Sequence, residues 1–241
     1  MLQSAQFLQL DLTVTTNMLH IPDDFKQMLS ECDEHYRLSL QEIPLFNATQ
    51  TPPDTQKKFA ATFYHIRGHF IDFMWFIANF SSNNAVKDII INNIKEEIGH
   101  PKGLSHEMLY ERFANACGVD VIDEIIHNTN NHSFIKTYNK THIEWLSKHD
   151  ESMRLAAFAA YERLDNIDYV FLNQFGTTFL LPEDKLLFFK VHIHVEHFER
   201  TLDILTPIFN QHPDKIKQSF DFIYQHQRQM WQDLSDYLYS S

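Results

Sequence analysis

Apolar residues recur along most of this chain at the three- and four-residue steps of a helix. Between positions 55 and 80, Phe59, Phe63, Ile66, Phe70, Phe73 and Ile77 keep that spacing, which predicts a long helix from Thr55 to about Phe80. A first helix is expected to open at Pro22-Asp23-Asp24 and to run through Tyr36 and Leu40, with Asn47 to Asp54, containing Pro52-Pro53, as a loop. Ser81-Ser82-Asn83-Asn84 breaks the pattern, and a third helix carries Val86, Ile90, Ile94 and Glu97. Gly99 to Gly103, with Pro101 inside, interrupts it before a fourth helix from Ser105, which carries Leu109 and Phe113 and has Gly118 as its C-cap. Asp120 to Ile126 reads as a short helix, His127 to Ser133 as a polar loop, Phe134 to Leu146 and Glu151 to about Phe175 as two more helices. Leu181-Pro182-Glu183-Asp184 starts another, expected to continue through residues 188–199, and Pro213 starts the last, running to Tyr237. Leu8 to Val14 alternates weakly, so residues 1–21 are expected to form a less regular lead-in. The expectation is one all-α domain over 1–241, with roughly eight helices.

Composition agrees with a helical interior and narrows the function. Glycines (5) and prolines (8) are few, and 21 phenylalanines can fill a core or line an apolar cavity. A net charge of −12 disfavours nucleic acid and anionic membrane surfaces as partners. No apolar run approaches the ~20 residues of a membrane span. The N-terminus shows no signal-peptide pattern, and Cys32 and Cys117 form no C-x-x-C pair, so a reducing cytoplasm is expected. The aromatic helix from Phe220 to Tyr239 would allow a homodimer.

Chemistry concentrates in a few places. Residues 188–199 hold His192, His194, Glu196, His197 and Glu199 behind Phe188-Phe189. On one continuous helix His192, Glu196 and Glu199 would share a face, with His194 and His197 on a neighbouring one. A mixed carboxylate–imidazole face suits iron or manganese, although a solvated polar face has the same pattern. Glu96-Glu97, followed by His100 and His106, is a second such piece, and solvated helix surface is its plainer reading. Glu162 follows the run Leu155-Ala156-Ala157-Phe158-Ala159-Ala160-Tyr161, so it is expected to be buried and to need a partner, either a metal or an arginine or lysine. His65, His69 and Asp72 also share a helical face, but their phenylalanine-rich setting favours packing over metal. The common hydrolase and nucleotide-binding motifs are absent.

The order of these pieces resembles the heme-oxygenase-like helical family, which includes thiaminase II, the pyrroloquinoline-quinone synthase and, most similar, CADD-like proteins and non-heme di-iron oxidases and oxygenases. The resemblance rests on the aromatic helix Phe59–Phe80, N-x-x-E-E-x-G at Asn93–Gly99, and His106-Glu107-Met108-Leu109-Tyr110. It continues through Cys117-Gly118-Val119-Asp120, the alanine-rich helix ending in Glu162, and Phe188-Phe189-x-x-His192, covering roughly 25–238. It implies a heme-oxygenase-like single-domain bundle with metal ligands at Glu97, His106 (or His100), Glu162, His192, Glu196 and Glu199. Glu196 stands where the family usually has Asp, and Glu199 where it usually has a final histidine, which leaves the second metal site open. The implied activity is an O2-dependent oxidase or oxygenase using iron, or iron with manganese, on a small organic substrate. Two other readings stand beside it: a metal-free enzyme of the quinone-synthase type, and a non-catalytic interaction protein of the same fold.

Overall fold

The computed structural model describes residues 21–101, 103–193 and 197–239, and these form eleven α-helices, two 3-10 turns and no strand. The helices are α1 (Asp23–Leu40), α2 (Pro53–Arg67), α3 (His69–Phe80), α4 (Asn84–Glu97), α5 (His106–Ala116) and α6 (Val121–His127). They continue with α7 (Ser133–Lys148), α8 (Glu151–Thr177), α9 (Leu187–Ile193), α10 (Glu199–Gln211) and α11 (Pro213–Tyr239). The 3-10 turns are Pro44–Asn47 and Glu183–Lys185. Residues 1–20 of the expected lead-in lie outside the described residues.

The long α8 is the centre, packed against α3, α9, α10 and α11. Its residues from Leu155 to Glu162 are buried without interruption, as in a helix surrounded on all sides. Four alanines there (Ala156, Ala157, Ala159, Ala160) let neighbouring helices come close. Polar side chains fix the helix starts: Asn83, Ser105, Asp120 and Asp150 each accept a hydrogen bond from a first-turn N–H. A buried network ties four helices together. Tyr36 (α1) and Gln227 (α11) donate to the two oxygens of Asp168 (α8) at 2.7 and 3.0 Å, and Tyr138 (α7) donates to Gln227 at 2.5 Å. Among the described residues no helix is long and apolar enough to cross a membrane.

Two expected helices are interrupted. The stretch 55–80 is two helices, α2 and α3, meeting at Gly68, whose own backbone stays in the right-handed helical region (φ −61°, ψ −26°). The stretch expected to run through 188–199 is not one helix: α9 is described as far as Ile193, His197 and Phe198 lie outside any helix, and α10 begins at Glu199. On an uninterrupted helix His192 and His197 would point about 140° apart. The break allows both to be buried, at 8% and 6% exposure. The aromatic residues of α11 that raised the prospect of a dimer surface, Phe220, Tyr224 and Trp231, are buried within this chain.

Candidate metal centre

Four segments distant in sequence converge on one cavity. Glu97 is the last residue of α4, and Asn93 lies one turn earlier on the same face. His106 opens α5, directly after its Ser105 cap. What brings Glu97 and His106 together is the turn between them. His100 N–H donates to Lys95 C=O at 2.8 Å and Gly99 N–H to Glu96 C=O at 2.9 Å, a Schellman closure with Gly99 at φ +74°. A Cβ on Gly99 would lie 2.8 Å from the Gly103 carbonyl oxygen, so this turn requires glycine both for its backbone angle and for space. The chain folds back on itself, and His106 Nδ1 comes 3.0 Å from Glu97 Oε2.

His192 arrives from α9. Its Nδ1 donates to the Phe188 carbonyl at 2.7 Å, leaving Nε2 with its lone pair. Its ring stacks on Tyr169 (centroids 4.1 Å, 11°) and lies 4.3 Å from the His106 ring. One donor atom each from Glu97, His106 and His192 lie within 4.8 Å of one another. Burial pushes the His192 imidazole down to about 3, with the neighbouring His106 adding to the effect, so the ring is neutral and able to ligate. For Glu97 burial acts upward, but the His106 hydrogen bond and the charges of His106 and Arg67 outweigh it and hold the carboxyl below its usual range. A carboxylate and a neutral imidazole, ready without further proton loss, are what a first-row metal requires.

Glu162 and Asp165, one turn apart on α8, line the other side of the cavity with Phe70, Asn93 and His197. Glu162 is 5% exposed and accepts a hydrogen bond from Asn93 Nδ2 at 2.6 Å. The arginine beside it in sequence, Arg163, pairs with Asp33 instead. The same Asn93 amide accepts from His197 Nδ1 at 2.6 Å, and His197 Nε2 lies 3.1 Å from Glu96. Asn93 thus spans Glu162 and His197. Burial, with Glu162, Asp168 and Glu97 nearby, pushes the Asp165 carboxyl well above its usual range.

The expected residues therefore divide. Glu97, His106, Glu162 and His192 line one cavity. His100 is exposed, so of the two alternatives it is His106 that faces Glu97. Glu196 and His194 lie outside the described residues. Glu199 is exposed at the start of α10 and is not among the described residues lining the cavity; the helix break removes the shared face that suggested it as a ligand. His197, expected to point off that face, is buried in the cavity wall for the same reason. Asp165, Asn93 and Arg67 carried no expectation, although Asp165 is i+3 from Glu162 and Asn93 is i−4 from Glu97. His65, His69 and Asp72 form no site: His65 bonds to Glu124 at 2.7 Å, His69 is buried, and Asp72 is exposed.

The family described as iron-containing redox enzymes, with a heme-oxygenase type of domain, matches residues 57–232. No curated protein matches the chain. Among solved structures, a CADD-like protein of unknown function from Nostoc punctiforme PCC 73102 is similar at 16% identity and a TM-score of 0.68, over 90% of this chain and 96% of that one. A domain of unknown function with a heme oxygenase-like fold from Shewanella denitrificans OS217 is 14% identical, with a TM-score of 0.69 over 88% and 91%. A TenA homolog from Pseudomonas syringae pv. tomato DC3000 is 14% identical, with a TM-score of 0.65 over 89% and 93%. At these identities the structures establish the fold, and the family match, which spans well over half of the chain, establishes the rest: this all-α, heme-oxygenase-like chain belongs to the iron-containing redox enzyme family.

Proposed function

We propose that the protein is a non-heme iron oxidase or oxygenase that acts with O2 on a small organic substrate, with the metal held by Glu97, His106 and His192. The observation that carries this reading is the donor set itself, one carboxylate and two imidazoles within 4.8 Å in a cavity wall. Two histidines and one carboxylate leave coordination positions open and are the set typical of non-heme iron oxygenases. A bound iron would supply O2 activation and one-electron redox chemistry that side chains lack. The chain's own residues do the remaining work. Phe188 C=O fixes the His192 tautomer, Tyr169 holds its ring by stacking, and Phe70 and Phe188 keep water away from the donors.

A second metal, iron or manganese, would have to involve Glu162, and Glu196 stays a candidate there by resemblance. The Asn93 amide holds Glu162 Oε1 and His197 Nδ1 in hydrogen bonds, which favours a single tightly held metal. A thiol-based enzyme is disfavoured. Burial pushes Cys32 up to about 11 and Cys117 up to about 12, and neither lines the cavity. A purely interaction-based role leaves the buried donor set without a purpose. Protein purified from iron-supplemented cells should contain about one iron per chain and consume O2 when given a reductant. Metal-free protein that takes up no iron on reconstitution would refute the proposal.

A further inference from the structure

A second groove, of about 360 Å³, runs between α7 and α11 and shares no lining residue with the metal cavity among the described residues. That volume is in the range of small-molecule sites. The two helices are antiparallel here: Trp145 stacks on Phe222 at 4.6 Å, Tyr138 on His226 at 4.4 Å, and Phe134 lies 6.0 Å from Tyr237. On α7, Ser133, Thr137 and Thr141 follow at i, i+4 and i+8, which sets their hydroxyls along one stripe. On α11, His226, Gln229, Met230 and Asp233 form the facing wall. In this register Asp233, between His226 and Tyr237, falls opposite the stretch Phe134 to Tyr138. The apolar part of the lining is Phe134, Tyr138 and Met230.

The charge in this groove has one sign. Asp233 is the one acid among the described lining residues, no lysine or arginine lines the groove with it, and it has no ion pair among the described residues. Its carboxylate is half-buried and accepts a hydrogen bond from Gln229 Nε2 at 2.8 Å, so Gln229 Oε1 stays an acceptor. His226 donates from Nε2 to the Tyr138 carbonyl at 3.0 Å, which leaves its Nδ1 as another acceptor. Burial lowers the His226 imidazole below its usual value, so the ring brings no positive charge at neutral pH. A carboxylate without a cation, set among acceptors beside an apolar, aromatic surface, complements an ion with three N–H donors and an apolar body. We infer that the α7–α11 groove is a binding site for a small arylalkylammonium ion, its ammonium on Asp233 and its ring on Phe134, Tyr138 and Met230. The net charge of −12 draws a cation towards the chain and keeps anions away.

Ligand-observed NMR titration of the full, metal-free chain with 2-phenylethylammonium and its neutral analogue 2-phenylethanol tests this. At low salt the ammonium should bind about fivefold more tightly, the gain expected of a half-buried charge-assisted pair. That preference should shrink in about 1 M salt, where charges are screened within a few ångströms. Asp233→Asn keeps the side-chain shape and should bring the two ligands within about twofold. Thr137→Lys, at an exposed helix position, places an ammonium of the chain's own in the groove and should abolish the preference as well. His192→Ala should leave it unchanged, since the groove and the metal cavity share no lining residue. Equal affinities in the unmodified protein, as a groove filled by residues 1–20 or by a second copy of the chain would give, would overturn the inference. So would a preference that survives either Asp233→Asn or Thr137→Lys. A preference lost in His192→Ala would put the ammonium in the metal cavity and overturn it equally.

Discussion

At the scale of single residues, His192 has the most to reveal. Its backbone-bonded Nδ1, neutral ring and stack on Tyr169 prepare one nitrogen for a metal. His192→Ala should abolish iron binding and leave far-UV circular dichroism unchanged, since a buried imidazole costs at most a few kcal/mol of packing here. Full iron occupancy in that variant would remove it from the ligand set. Asp168 tests a different property. Burial raises its carboxyl to about 7, against the pull of Tyr36 and Gln227. Between about pH 4 and 7 the folded state therefore binds more protons at this site than the unfolded chain, and the site's stabilisation is lost as pH rises through about 7. Asp168→Asn should remove that slope, visible as a flatter denaturant midpoint across the same range. His192 and Glu162 were legible from residue type and neighbours, whereas Asn93 and Asp165 were not. An amide that spans two buried groups carries no sequence signature apart from the fold that brings those groups to it.

At the scale of elements, two breaks decide the site. The Gly99 turn folds α5 back onto the end of α4, and the break at His197-Phe198 before α10 goes with an inward-facing His197. Gly99→Ala would force a Cβ to 2.8 Å from backbone atoms at a positive φ, so the turn must open. We expect that variant to stay helical but to bind iron at least tenfold more weakly, because a donor displaced by about 1 Å no longer shares the metal. Unchanged affinity would show that the turn does not position the donors. Helix existence and most boundaries followed from the apolar spacing, Gly68 and the interruption at His197-Phe198 being the exceptions. Neither break follows from periodicity, because the apolar pattern runs across Gly68 and His197 fits a continuing helix as readily as its end. The shared face assigned to His192, Glu196 and Glu199 depended on continuity, and Glu199 left the site with it.

At the scale of the whole molecule, α8 and the aromatic interior form a scaffold in which several histidines are buried neutral. Burial lowers His69 to about 4 and His142 well below its usual value. Both are packed ring against ring with centroids 5.4 Å apart, and with ring nitrogens lacking hydrogen-bond partners. In the unfolded chain these groups take up protons below about pH 6.5, so their contribution is fully present above that pH and is lost as pH falls toward 4. His69→Phe should shift the acid unfolding midpoint to lower pH, the opposite slope to that of Asp168. A midpoint that stays or rises would show that the ring is not held neutral by the fold. The all-helical architecture and the placing of Glu97, His106, Glu162 and His192 on one cavity were readable from ordered motifs, since those positions sit on regular helices or beside their caps. Arg67 was not, because only the assembled cavity shows where the end of α2 points. The most direct test of the metal centre is anaerobic titration of Fe²⁺ into the metal-free protein and into Glu97→Gln, His106→Ala and His192→Ala. The unmodified protein should bind one tight equivalent and each variant should lose it; two tight equivalents, or one that survives all three substitutions, would contradict a single iron held by these residues.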